Sequence, residues 1–305
     1  MAVIRVIMIG DVVGDPGLEA LEKRLPALRA EYAPLLVTVN GENAAAGFGL
    51  DAASLDRIFA AGADVVTSGN HVWEKREFWP VLESGKPVIR PANYPPAGRE
   101  SSGEPGSSGE PEKAALPDIP GKGWLLLEKP VPKTGSPGKD MPGGEKDDEG
   151  ERVSFLVINL QGRKRMTAID CPFRCFDRIA AENHSAKPLV MVDFHAESTE
   201  EKEALGYYLD GRAGVVAGTH THVQTADERI LPGGTAYITD LGMTGAANGV
   251  IGMDAGICID RANTQIAYRM ECARPASEED LAVQGIVAEL DSGTGRALAI
   301  RRINV

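Results

Sequence analysis

Aromatic residues make up only 5% of this 305-residue chain, so its core must be mainly aliphatic. Cysteine is also scarce. The four are Cys171, Cys175, Cys258 and Cys272, and none forms a Cys-x-x-Cys pair. A chain this long does not need disulfide staples, so reduced structural thiols and a cytoplasmic location are expected. Cys171 and Cys175 could form half a metal site, but the structural reading is preferred. Positive charge is lacking too: 32 Lys and Arg stand against 44 Asp and Glu, a net charge of −12. That argues against a dedicated nucleic-acid surface or an anionic-membrane binder. A small phosphorylated substrate stays open, because bound cations can reverse the local field. No apolar run is long enough to span a membrane. The apolar start, Met1 to Ile9, is too short for a membrane helix and lacks the flanks of a signal peptide. No Gly-x-Gly-x-x-Gly and no Walker Gly-Lys-Ser/Thr is present, which leaves a nucleotide-cradling loop without support.

Apolar runs of strand length alternate instead with helical stretches. Val3–Ile9, Leu35–Val39, Val65–Thr67, Leu189–Phe194, Val215–Ala217 and Ala236–Thr239 read as strands. Pro16–Glu31 reads as a helix with Asp15 as its N-cap, Ala52–Ala61 as one capped by Asp51, and Glu74–Glu83 as a third. A fourth starts at Ser198, where Ser198-Thr199-Glu200-Glu201 has capping-box spacing. Strands buried on both faces and joined by helices make an α/β layered fold. The expected domain is single, spanning 1–305, with a mobile insertion at about 97–152. That stretch is rich in Gly, Ser, Pro and charge and buries little; its apolar segment Trp124–Leu127 is a candidate edge strand.

Five polar motifs fall at the carboxyl ends of these strands, where α/β sheets hold ligands. They are Gly10-Asp11-Val12-Val13-Gly14, Asn40-Gly41-Glu42-Asn43, Gly69-Asn70-His71, His195-Ala196-Glu197 and Thr219-His220-Thr221-His222. Four of the five histidines lie in them; only His184 falls outside. Each motif alone has a plain reading. Asp11 could be a turn or cap residue, Asn40-Gly41 a turn, His71 a structural histidine and Asp193 a strand cap. Together they offer Asp11, Glu42, Asn43, Asn70, His195, His220 and His222, seven oxygen and nitrogen donors from five segments. One tetrahedral zinc needs fewer, and two ions suit the set better. An extended His220-Thr221-His222 would point both imidazoles the same way. No cysteine joins the set, so two divalent or mixed-valence ions, iron or manganese, are expected. His71 is left free to donate a proton, and Asp193 to orient a ligand.

In order and spacing these motifs resemble the calcineurin-like metallophosphoesterases, and more closely the YmdB-like family of bacteria. Arg90-Pro-Ala-Asn-Tyr94, Asp170-Cys-Pro-Phe-Arg174, Asp193-Phe-His-Ala-Glu197 and the run from Gly218 to Gly234 extend the likeness over nearly the whole chain. The resemblance implies a four-layer α/β/β/α sandwich around a dinuclear centre. It assigns one ion to Asp11, Glu42, Asn43 and His222 and the other to Glu42, Asn70, His195 and His220. Glu42 then bridges, and His71 is the general acid. The implied reaction is attack by a metal-activated hydroxide on the phosphorus of a cyclic nucleotide such as 2′,3′-cyclic AMP. The broader superfamily has Asp-x-His in its first motif; here Val13 stands at the His position, and the bridge is Glu rather than Asp. Two other activities fit the same motifs. One is a phosphomonoesterase (a nucleotidase or protein phosphatase), the other a non-catalytic nucleotide-sensing regulator. Apolar helix faces are compatible with a homo-oligomer.

Overall fold

A computed structural model of the chain describes residues 2–95, 119–131 and 151–305. The elements run β1 (Val3–Ile9), β2 (Asp11–Val12), α1 (Gly14–Tyr32), β3 (Leu36–Asn40), α2 (Ala52–Ala61), β4 (Val65–Thr67) and α3 (Trp79–Leu82). Then come β5 (Trp124–Pro130), β6 (Arg152–Gln161), α4 (Pro172–Asn183), β7 (Leu189–His195), α5 (Thr199–Tyr208) and β8 (Val215–Thr219). The chain closes with β9 (Arg229–Ile230), β10 (Ala236–Ile238), β11 (Met243–Ala246), α6 (Ala255–Thr264), β12 (Leu281–Asp291) and β13 (Ala297–Asn304). The first sheet is ordered β2-β11-β12-β1-β3-β4, with β13 also on β12; the second is β5-β6-β7-β8-β10-β9.

Side-chain alternation explains how the sheets pack. On β1, Ile7 and Ile9 join a core with α1 and α2, while Ile4, Val6 and Met8 join a second core. That second core also takes Phe155 and Val157 of β6, Met191 of β7 and Val215 and Ala217 of β8. The other faces of those strands, Leu156, Ile158, Val192, Phe194 and Val216, pack with Phe176 and Ile179 of α4 and Leu205 of α5. Period-2 alternation thus gives every central strand two apolar faces, which is why they read as unbroken apolar runs.

Several local expectations need correction. Helix α1 starts at Gly14 with Val13 as N-cap, and no side chain caps it; Asp15 lies in its first turn and pairs with Arg57 Nη1 at 2.9 Å. The Val13 and Gly14 amides are instead held by Thr244 and Asn43 carbonyls, each at 2.9 Å, so tertiary contacts set the start. The helix expected at Glu74–Glu83 shrinks to a 3₁₀ turn, Arg76–Phe78, and the four residues of α3, where Pro80 has no N–H to give. The Asp51 cap forms as expected, accepting from Ser54 N at 2.8 Å. At Ser198 only half the box forms: its hydroxyl accepts from Glu201 N at 3.4 Å, while the Glu201 carboxylate turns to the amides of Arg163 and Lys164. The apolar segment of the insertion is β5, paired among the described residues with β6 alone, at the edge of the second sheet. The mobility expected for the rest of 97–152 falls almost entirely on residues outside the described set.

Candidate metal centre

Parallel pairing places the motifs side by side. On the first sheet β1, β3 and β4 run parallel, so Asp11, Glu42 and Asn70 leave the same edge. On the second, β6, β7 and β8 run parallel, with Gln161, His195 and Thr219 in register. The two edges converge. His195 Nε2, fully buried, lies 2.8 Å from Glu42 Oε1, 3.0 Å from Asn70 Oδ1 and 3.0 Å from His220 Nδ1. Glu42, His195 and His220 can each offer an atom within 4.8 Å of the other two. Gly69 permits this approach: a Cβ there would collide with Glu42 Oε2 and the His195 ring.

Asp11, Asn43 and His222 gather next to this group. Asn43 Nδ2 lies 3.2 Å from His222 Nε2 and 3.4 Å from Glu42 Oε1. The amide thus presents its donor, so ligation through the oxygen requires it to turn over. Asp11 Oδ2 accepts from the His220 amide at 3.2 Å. Its Oδ1 is buried with no hydrogen-bond partner among the described residues, 3.8 Å from His222 Nε2 and 3.9 Å from His195 Nδ1. A buried carboxylate oxygen left unpaired is costly, and a cation between these donors would satisfy it.

The three imidazoles share one arrangement. His195 Nδ1 is 3.0 Å from Thr219 Oγ1, His220 Nε2 is 3.4 Å from Glu197 Oε2, and His222 Nδ1 is 3.0 Å from the Ile251 carbonyl. His195 and His222 each have one ring nitrogen within hydrogen-bond reach of a protein oxygen, His220 has one beside a carboxylate, and all three turn the other nitrogen inward, as metal ligation requires. The His220-Thr221-His222 segment is not extended, so the two rings do not point the same way. Both histidines have positive φ, 101° and 62°, and their rings diverge, His220 toward His195 and His222 toward Asp11.

Charge is coupled across the cluster. Burial pushes the His195 imidazole down, but the Glu42 carboxylate outweighs it and holds the ring at about 9. Burial would likewise raise Glu42, yet the charge on His195 keeps it at about 2. Burial lifts Asp11 to about 6, and burial with the His195 charge brings His220 to about 3.

His71 stands apart from this cluster, at the rim. Its amide donates to Glu42 Oε2 at 3.0 Å, its ring Nδ1 is 3.4 Å from Glu74 Oε1, and Phe48 packs edge-on at 5.4 Å. His71, Glu42, Asn43, His220 and His222 line a cavity of about 370 Å³.

Sequence marked Asp193 as a ligand-orienting or strand-capping residue; the other supporting residues carried too weak a signal to be singled out. Asp193 accepts from Thr219 Oγ1 at 2.6 Å, from Asn40 Nδ2 at 3.1 Å and from Thr67 Oγ1, so it orients Thr219 rather than capping its strand. Asp240 is buried against Lys202 Nζ at 2.6 Å and accepts from the Thr221 amide at 3.1 Å, fixing the loop between His220 and His222. Its signal was present: Asp240 follows the apolar β10 just as Asp11 follows β1. Phe48, Ile251, Met253 and Met270 complete the cavity wall, and nothing in their local sequence marks them.

Buried carboxylates, amides and imidazoles gathered at strand ends from two sheets define a candidate metal-ligating site in a mixed α/β fold. Comparison with known proteins narrows this. The model of the YmdB-like protein family matches residues 7–106 and 125–303. A 2′,3′-cyclic-nucleotide 2′-phosphodiesterase of Bacillus subtilis (strain 168) is 39% identical over 300 residues, covering 98% of this chain and 96% of its own. A hypothetical protein from Thermus thermophilus, known as a crystal structure, is 38% identical with a TM-score of 0.75, covering 99% of both chains. A phosphatase from Mycoplasma pneumoniae is 28% identical with a TM-score of 0.79, covering 100% of this chain and 94% of its own. The chain belongs to the YmdB-like family.

Proposed function

We propose that this chain is a dinuclear-metal phosphodiesterase that opens cyclic nucleotides such as 2′,3′-cyclic AMP. The broad class, a phosphoric ester hydrolase, is that of its named relatives, and the cyclic substrate is that of the Bacillus subtilis relative. The observation that carries the metal reading is the shared arrangement of His195, His220 and His222, each with one nitrogen beside a protein oxygen outside the cluster and the other turned in among the candidate ligands. The unpaired Asp11 Oδ1 among them supports it.

In this reading Asp11, Glu42, Asn43 and His222 hold one ion, and Glu42, Asn70, His195 and His220 hold the other. The donors are carboxylate, amide and imidazole with no thiolate, which favours iron or manganese. Bound there, two such ions would supply an activated water nucleophile at neutral pH and neutralise phosphate charge. The protein's own part follows from its geometry. Glu42 keeps both carboxylate oxygens in the cluster, one toward His195 and one on the His71 amide. That amide bond fixes the backbone of the acid relative to the bridge. During hydrolysis the water oxygen joins phosphorus, the bond from phosphorus to one ribose oxygen breaks, and that oxygen takes a proton. In this reading His71 gives it, supported by its position on the cavity rim with Glu74 beside its ring.

The same reading takes the chain as one domain of four layers, α/β/β/α, supported by the three cores that separate helices, sheet, sheet and helices. Among the described residues no helix is long and apolar enough to cross a membrane. Four unpaired thiols support a cytoplasmic location.

A substrate panel tests the activity. The reading predicts that 2′,3′-cyclic AMP is opened and that simple phosphomonoesters are poor substrates. Rapid release of phosphate from monoesters, with no diester cleaved, would make the protein a phosphomonoesterase instead.

A further inference from the structure

The opposite wall of the same cavity has a feature that metal binding does not explain. Val250 and Met253 exchange both backbone hydrogen bonds, at 2.8 and 2.9 Å, around Ile251 and Gly252. Both central residues have positive φ, 50° at Ile251 and 85° at Gly252. This is a two-residue turn with left-handed central positions, the type that strongly prefers Asn-Gly. A β-branched residue at the first position is strained. Of the eight non-glycine residues with positive φ among those described, Ile251 alone is β-branched.

Ile251 has one evident duty: its carbonyl accepts from His222 Nδ1 at 3.0 Å. Any residue in that backbone conformation would present the same carbonyl, and Asn would do so with less strain. The isoleucine side chain therefore needs a separate reason. It does not serve the core, since Ile251 is 46% exposed, and it lines the cavity. Phe48, Met253 and Met270 continue the apolar wall, and a small core with Val13 and Met243 backs them. Strain retained at a cavity wall points from geometry to ligand contact. The cavity is thus two-faced, with imidazoles and carboxylates on one side and thioethers, a phenyl ring and a branched aliphatic chain on the other.

We infer that the Ile251 turn, with Phe48, Met253 and Met270, is the platform for the nucleobase of the substrate. This deepens the phosphodiesterase reading and rests on it for the phosphate end. A nucleobase suits the wall because it is flat and apolar on its faces and polar only at its edges. Ile251, Phe48, Met253 and Met270 have no polar side-chain group to read those edges, so they grip any base, and the larger purine face more firmly than a pyrimidine. Phe48 joins the platform to the chemistry, because its ring also packs against His71.

Ile251→Asn separates this role from scaffolding. The variant keeps the carbonyl for His222 and relieves the left-handed strain, so its melting temperature should rise and its metal content should not change. Its KM for 2′,3′-cyclic AMP should rise about tenfold, and its KM for ribose 2′,3′-cyclic phosphate, which has no base, should rise far less. Ile251→Val keeps the branched apolar surface and should stay within about fourfold of wild type. Calorimetric titration with 3′-AMP gives a second reading that needs no turnover, and affinity should fall in Ile251→Asn. An unchanged KM and unchanged 3′-AMP affinity in Ile251→Asn would overturn the platform, as would an equal loss on the baseless substrate. Wild-type protein that binds 3′-AMP through Ile251 yet opens no cyclic phosphate would keep the platform and overturn the phosphodiesterase reading.

Discussion

His195 Nδ1 lies 3.0 Å from the hydroxyl of Thr219, and that hydroxyl donates its own proton to Asp193 Oδ1 at 2.6 Å. The Thr219 oxygen must therefore accept from His195. The ring is held with Nδ1 protonated and Nε2 turned toward Glu42, Asn70 and His220. Three residues on two strands thus fix which ring nitrogen faces the cluster before any ligand binds.

Thr219→Val tests this link. Valine keeps the branched shape that β8 favours but offers His195 no acceptor. Metal affinity should fall about 10–100-fold, as it does when outer partners of ligating histidines are lost. Competition against a chelator measures it. Wild-type affinity in the variant would show that the Asp193–Thr219–His195 chain does not position the ligand.

His71→Ala separates the acid from the metal ligands. His71 touches the cluster only through its amide, which the alanine variant keeps. Bound metal should be unchanged and turnover about 10²–10⁴-fold lower. A variant as active as wild type would remove His71 from the reaction; one without metal would make it structural.

The Glu42–His195 pair makes the metal-free protein sensitive to pH. His195 is raised from 6.5 to about 9, so the pair's contribution to stability is fully present below pH 6.5 and is lost as pH rises through about 9. Metal needs the unprotonated ring, so affinity for metal should strengthen over that same window. Melting curves from pH 6 to 9.5, with and without Mn²⁺, should show a decline only in the metal-free protein, and Glu42→Gln should flatten it. A flat metal-free profile in the wild type would contradict the coupling.

Lys202 and Asp240 form a buried pair, each side chain 1% exposed, 2.6 Å apart. Lys202→Ala leaves Asp240 buried without its counter-ion, and should cost about 3–5 kcal/mol of stability. Because Asp240 also holds Thr221, metal affinity should fall with it. Denaturant unfolding measures the first effect; a loss under about 1 kcal/mol would mean water or another group replaces the lysine.

The parts of the fold legible in sequence were those set locally. The strands β1, β3, β4, β7 and β8 show as apolar runs because both their faces are buried, and each ends in a polar motif because the edge is where ligands can reach. Asp51 could be read as a cap because its partner, Ser54, is three residues away. What could not be read depends on distant partners. β12 and β13 complete the first sheet, but β12 pairs with β1 across nearly the whole chain, Ile4 against Leu290 and Met8 against Ile286. The start of α1 answers to Thr244 and Asn43 rather than to Asp15. The left-handed backbone at His220 and His222, which sends the two rings to different partners, cannot be inferred from an alternating Thr-His-Thr-His. Lys202 and Asp240 lie on separate elements and look like ordinary surface charges until the fold buries them together.

The most direct test of the central claim is metal analysis of Mn²⁺-loaded protein combined with an assay of 2′,3′-cyclic AMP opening, with and without chelator. About two ions per chain are expected, with ring opening that chelation abolishes and Mn²⁺ restores. Protein that stays free of metal after loading, or that opens the ring equally well when stripped of it, would contradict the account.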